Sequence, residues 1–296
     1  MKPEVRGTLL ILAAGFLWGI SATLAKLLLA GTVDTLLLVQ TRVTFSALLM
    51  GAGYALFSRA RLRAKPRDLW RFLLLGVLGI AGANVTYYHV IKESSVATAI
   101  LLQYTAPFLV LGWAALTREE RVTRPKVLAA LLSLAGCFLS VGGVSGDAGA
   151  IPGGALAVGL LSALCFAFLN VFPRSIAGRA GVGTMTFYAL LFASLFWLMV
   201  NPPAAVIERN VPSSTWLLLA GFAVISVLLP HTLYFTGLRH VAASRAIVTS
   251  TFEPVVAIVS AALMAGELLA PPQVFGAVLV LSAIVFLQRS REPAGA

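Results

Sequence analysis

Charge is scarce in this chain. Only 11% of its 296 residues are Asp, Glu, Lys or Arg, while 59% are hydrophobic, and the mean hydropathy is +0.94. Soluble domains carry about a quarter charged residues, so a soluble globular domain is excluded. Cysteine is scarce too. Cys137 and Cys165 are the only two, and they lie in apolar segments without paired spacing. That pattern supplies no disulfide framework and no zinc site, and both read as packing residues. The sequence also lacks a phosphate-binding P-loop, a cluster of metal ligands, and a nucleophile with partners for a triad. Nucleotide-driven, metal-dependent and hydrolytic chemistry therefore have no visible residues, and no cofactor, metal or enzymatic activity is expected.

What is present is a series of long apolar runs, at about 7–29, 36–57, 70–91, 95–117, 125–144, 152–173, 183–201, 214–237, 244–265 and 272–288. About 20 apolar residues cross a bilayer, and strands of a membrane barrel would be shorter and would alternate. The expected fold is an all-α integral membrane protein of ten transmembrane helices. The first run is long for a signal peptide and has no A-x-A site after it, so it reads as a retained helix. Net charge is +11. In a soluble protein that excess would suggest nucleic acid; here it reads as loop charge that sets topology, so the lipid bilayer, not nucleic acid, is the expected partner. With the N-terminus inside, only Lys26, Lys92 and Arg209 fall outside, and Arg42 lies within a span; the remaining 18 of 22 Lys and Arg fall on the inner side. The positive-inside rule then places both termini in the cytoplasm of a bacterial-type inner membrane.

The chain also repeats. At an offset of 147 residues, Gly7 meets Gly154, Phe45 meets Phe192, Tyr87 meets Tyr234, Pro107 meets Pro254, Glu120 meets Glu267 and Pro125 meets Pro272. Residues 1–147 and 148–296 are thus expected to be two five-helix halves. An odd number of helices inverts the second half, and the charge agrees. Segments 58–71 and 118–126 hold ten Lys/Arg, whereas their counterparts 205–218 and 265–273 hold only Arg209. Inverted repeats are typical of secondary transporters, with the substrate near the midplane.

Few polar residues lie deep in the runs. Glu253 is eight residues past Arg245, and a charge at a helix centre costs about 2.5–3.5 kcal/mol on insertion scales. It can hold an ammonium group or a proton, or it can pin backbone freed by Pro254. Its repeat mate is Ala106, so the repeat does not require it. Arg42 can bind a substrate carboxylate, or it can form a structural ion pair or snorkel; Glu253 is a possible partner. Gln103 and Tyr104 precede Pro107 as Ser250 and Thr251 precede Pro254. Proline frees the carbonyl four residues back, so matching irregular helices point to a cavity, or else only to packing kinks. Asn84, Tyr87 and Tyr88 share a helix side, as cavity wall or as interfacial belt. Trp18 and Trp113 lie deeper and read as cavity wall. His231, the mate of Asn84, and Tyr234 complete the cavity candidates; the histidine can carry protons or serve as a structural hydrogen-bonding group. Gly15 and Gly19, with Gly76, Gly79 and Gly82, suit close helix packing. Glu120 and Glu267 end spans near water and suit a loop or gate.

The segments AAGFLWGISATLAKLL, QTRVTFSALL, AILLQYTAPFLVLGWAALTREE and AIVTSTFEPVVAIVSAALMAGELL carry a resemblance over nearly the whole chain. The sequence resembles the drug/metabolite transporter superfamily, in particular the EamA-type ten-helix exporters, with the amino-acid exporters of the YddG type nearest. The resemblance implies a basket of two five-helix bundles, a small-molecule substrate, export by alternating access, and peripheral fifth and tenth spans. A lipid-modifying membrane enzyme and a passive channel are the competing readings.

Overall fold

The computed structural model describes residues 2–30, 33–94, 96–142, 153–266 and 268–290; the expected boundary at 147/148 and Glu267 lie outside them. The described residues form helices and no strand. In chain order the long helices are α1 (Pro3–Leu29), α2 (Thr35–Phe57), α3 (Pro66–Glu93), α4 (Thr98–Thr117), α5 (Arg124–Ser140), α6 (Gly153–Ile176), α7 (Val182–Val200), α8 (Ser213–Gly237), α9 (Ala243–Met264) and α10 (Pro271–Arg289). Nine of them are long and apolar enough to cross a membrane. The other, α5, has 17 residues, about 25 Å at 1.5 Å per residue, somewhat short of a bilayer core. It stops where Gly142 takes φ +78° and its N–H reaches the Leu139 carbonyl at 3.1 Å. This left-handed turn is one that glycine adopts without strain.

The sequence halves do not form separate bundles, unlike the arrangement the resemblance implies. Helix α1 packs on α8 and α9, and α2 packs on α8; α6 packs on α3 and α4, and α7 packs on α3. Each of the resulting groups, α1/α2/α8/α9 and α3/α4/α6/α7, takes two helices from each half. They meet along α2 and α7, and α5 and α10 pack extensively on each other. The physical reason is where small residues fall. A Cβ at Gly7 would sit 3.0 Å from the Gly237 carbonyl of α8, one at Gly15 would sit 3.5 Å from the Glu253 nitrogen, and one at Gly19 would sit 2.7 Å from the Glu253 carbonyl. Bare backbone on α1 lets α8 and α9 approach more closely than a side chain would allow.

Two helices widen internally. Leu75–Gly82 in α3 and Val224–Leu228 in α8 adopt π-type turns, and the offset of 147 maps one onto the other. Gly76, Gly79 and Gly82 lie in the first of these segments, with Gly79 and Gly82 against Leu169 and Cys165 of α6 and Gly76 against Ala189 of α7. Pro230, two residues after the end of the second, supplies no N–H. The two proline breaks also match: α4 is interrupted at Tyr104–Thr105 and α9 at Thr251. At each break a threonine hydroxyl donates within its own helix, Thr105 to the Leu102 carbonyl and Thr251 to the Val248 carbonyl, both at 2.6 Å.

The α1–α9 contact gives a test. Gly19→Ala is expected to destabilise the protein by about 1–3 kcal/mol through overpacking, read as a lower thermal midpoint in detergent. Gly53→Ala, at a position facing open space, should leave the midpoint unchanged or slightly higher. Equal midpoints for the two variants would contradict the close packing.

Candidate functional site

Arg42 on α2 and Glu253 on α9 both belong to the first group of helices. Each reaches a neutral polar side chain on the second. The Arg42 Nη2 donates to Asn84 Oδ1 on α3, and its guanidinium carbon lies 5.9 Å from the Tyr88 ring centroid, within cation–π range. Glu253 Oε2 accepts from the Tyr104 hydroxyl on α4 at 3.3 Å. The two charges interact electrostatically but form no ion pair within 4.0 Å among the described residues, and Arg42 Nε is buried without a hydrogen-bond partner. Glu253 is half-buried. Arg42, Trp18, Asn84, Tyr87 and Tyr88 are also half-buried, and Tyr87 packs edge-on against Tyr88 at 5.6 Å.

The widened helix turns hold part of this wall in place. Asn84 Nδ2 donates to the Ile80 carbonyl at 2.6 Å, and His231 Nδ1 donates to the Val227 carbonyl at 2.9 Å. These are repeat-equivalent bonds to carbonyls of the repeat-equivalent π-type segments. His231 thus bonds a carbonyl of its own helix. Its ring packs edge-on against Trp18 at 5.5 Å, and Trp18 also meets Tyr234 at 5.2 Å. Tyr234 donates to Asn170 on α6, a bond between the two helix groups.

Other candidates bond to neighbouring backbone or side chains. Ser250 is wholly buried and donates to the Ile247 carbonyl at 2.8 Å. Gln103 donates to the Ser162 hydroxyl of α6 at 2.9 Å. Trp113 is a correction: it is 48% exposed, aligned with exposed Leu109 and Leu116 on one outward stripe at helical spacing, so it faces the surroundings of the protein and not a cavity. Depth along a helix says nothing about which face a residue occupies.

A second polar centre lies at the end of the molecule that carries the basic loops. Glu120, expected near water, has a side chain only 7% exposed. It accepts the Ala243 N–H at 2.7 Å and the Ser244 hydroxyl at the start of α9. Lys126 Nζ at 3.3 Å and Arg174 Nη1 at 3.4 Å complete its surroundings. Arg174, at the end of α6, also donates to the Val241 carbonyl at 3.0 Å. One carboxylate thus ties the α4–α5 connection to α6 and α9. At the opposite end α2 and the end of α7 are joined by Gln40, which donates to the Asn201 carbonyl at 2.8 Å, while Arg209 pairs with Asp34.

The sequence matches the description of the EamA-like transporter family twice, over residues 5–142 and 153–289. The chain belongs to the EamA-like transporter family. It is a multi-pass membrane protein. It is 28% identical over 293 residues to an uncharacterized inner membrane transporter, YicL, of Salmonella typhimurium, covering 95% of both chains. It is 29% identical over 224 residues to the pseudopaline exporter CntI of Pseudomonas aeruginosa, covering 75% of each. A solved crystal structure superposes with a TM-score of 0.76 at 21% identity, covering 95% of this chain and 96% of the other, which shows a shared fold. In this EamA-family chain, sequence reasoning missed Asn170, an amide wholly buried in an apolar helix whose mate, Thr23, differs from it. The signal was a lone buried-type amide, which needs a partner wherever it sits.

Burial pushes the Glu120 carboxyl up, but the Ser244 hydroxyl, Lys126 and Arg174 outweigh it and hold it below the ordinary range. A depressed folded-state value means stabilisation that is present above the unfolded carboxylate's pKa and is lost as pH falls through the folded one. Glu120→Ala should cost about 3 kcal/mol at neutral pH, since it strands buried partners, and the deficit should shrink in acid. A midpoint equal to that of the native protein at pH 7 would contradict the tie.

Proposed function

We propose that this EamA-family protein is a secondary transporter that exports small zwitterionic metabolites, with amino acids as its substrate class. The observation that carries this reading is the disposition of Arg42 and Glu253. They are opposite charges on one helix group, both half-buried, unpaired with each other, and each resting on a neutral group of the facing helices. A zwitterion supplies the missing complement to both, its carboxylate to Arg42 and its ammonium to Glu253. The aromatic wall of Trp18, Tyr87 and Tyr88 suits a neutral or aromatic side chain. Relatedness to a protein named as an exporter supports the direction.

Transport then works by alternating access between two inverted five-helix repeats, 1–147 and 148–296, with α5 counted as a tenth span and both termini in the cytoplasm of the inner membrane. The moving bodies are the interleaved groups and not the sequence halves. Binding replaces the Arg42–Asn84 and Glu253–Tyr104 bonds between groups with bonds to substrate. Opening toward the basic face separates Tyr234 from Asn170 and releases Glu120 from α9. Pro107 and Pro254 mark where α4 and α9 can bend. No residue set for nucleotide hydrolysis is recognisable, so a gradient or the substrate itself drives the cycle.

Counterflow in proteoliposomes containing only this protein tests the reading. Radiolabelled amino acids should show saturable exchange. Arg42→Gln and Glu253→Gln should each weaken apparent affinity by about 10- to 100-fold, the equivalent of a lost charge-assisted hydrogen bond. Trp113→Ala should transport normally. Absence of saturable exchange across a broad amino-acid and metabolite panel, or full activity of both charge variants, would sink the proposal.

A further inference from the structure

A cavity of about 530 Å³ opens between the end of α6, the start of α7 and the segment after α8. Its volume falls within the range of small-molecule sites. It is distant in chain position and chemistry from the Arg42–Glu253 centre. Pro173, Met185, Phe235, Leu238 and Val241 give it an apolar floor, and Arg174, Arg239 and His240 line it, with no aspartate or glutamate among the lining residues.

Both guanidinium groups are fixed by backbone carbonyls of a neighbouring element. Arg174 Nη2 donates to the Val241 carbonyl after α8 at 3.0 Å, and Arg239 Nη2 donates to the Ala180 carbonyl between α6 and α7 at 2.7 Å. These reciprocal ties hold the forks before any ligand arrives, which lowers the ordering cost of binding. Glu120 engages one Arg174 nitrogen, but Arg174 Nε is buried with no hydrogen-bond partner. His240 offers a further ring N–H in either tautomer. Two cations with only one adjacent carboxylate leave the site positive. Arg174, Arg239 and His240, all lining one space, carry donors that suit a tetrahedral oxyanion with acceptors on every side.

We propose that this cavity is a phosphate-binding site, separate from the transport centre, held by Arg174, Arg239 and His240. The phosphate can come from the headgroup of an acidic phospholipid or from a free phosphate, since basic pockets between helix ends serve both. The proposal does not rest on the transport reading, and its test measures binding without flux.

The full chain in phosphatidylcholine nanodiscs is titrated with inorganic phosphate by calorimetry. In parallel, native mass spectrometry counts phosphatidylglycerol retained from mixed micelles containing phosphatidylcholine. Saturable phosphate binding, selective retention of phosphatidylglycerol, or both is expected; the arm that responds identifies the source. Arg239→Gln and His240→Gln, which leave the Glu120 tie intact, should each weaken the responding arm by about tenfold, as for one charge-assisted contact. Arg63→Gln, an exposed arginine of the α2–α3 connection, should not. No response in either arm, or an unchanged response in both variants, overturns the site.

Discussion

A carboxylate inside a membrane-spanning helix needs donors and shelter from lipid, and the helices around Glu253 are arranged to supply both. Gly15 and Gly19 bring bare α1 backbone against the turn of α9 that carries it. Tyr104 reaches it from α4, at the break that Pro107 imposes. The bond from Tyr104 to Glu253 therefore joins two irregular helices at their weakest points, where the backbone ladder is already interrupted. Arg42 is treated in the same way, through Asn84 anchored on a widened turn. In a low-dielectric interior such bonds are stronger than in water, and a missing partner is correspondingly costly. That cost is what makes the unpartnered Arg42 Nε informative.

Symmetry and its violation divide the labour. The frame repeats: matched proline breaks, matched π-type turns, and matched bonds from Asn84 and His231 to carbonyls four residues back. The charges do not repeat. Glu253 aligns with Ala106 and Arg42 with Ala189. One charge comes from each sequence half, but interleaving puts α2 and α9 in the same group of helices. A symmetric scaffold thus presents an asymmetric, dipolar pair of charges to neutral side chains of the other group, the feature on which the proposed zwitterion site depends.

The basic face is organised differently. There the charges are at helix ends, where they can reach water, and yet Glu120 is buried. Its position is determined by what it neutralises, the buried helix start at Ala243–Ser244 and two cations, Lys126 at the start of α5 and Arg174 at the end of α6. Above it, Tyr234 and Asn170 bind across the groups without any charge. In the proposed cycle these are successive barriers of unlike chemistry, one that acid weakens and one that it does not. The opposite face is joined by the amides of Gln40 and Asn201 together with the Arg209–Asp34 ion pair.

The sequence by itself determined that the chain is a helical membrane protein, because apolar runs of bilayer length and the near absence of charge admit little else. It also determined the repeat and the matched prolines, since a fixed offset preserves residues wherever the backbone needs the same irregularity. Arg42, Asn84, Tyr104 and Glu253 were legible as candidates because a polar group deep in an apolar run is costly. Tertiary structure decided which of them meet. Pairing between helices distant in sequence depends on close approach at glycines, and nothing local to α2 or α9 reveals that they share a bundle. Tertiary structure also turned Trp113 outward, buried Glu120, gave Asn170 its partner and mixed the two halves, because the face a residue occupies is set by the neighbouring helices and not by its depth along its own.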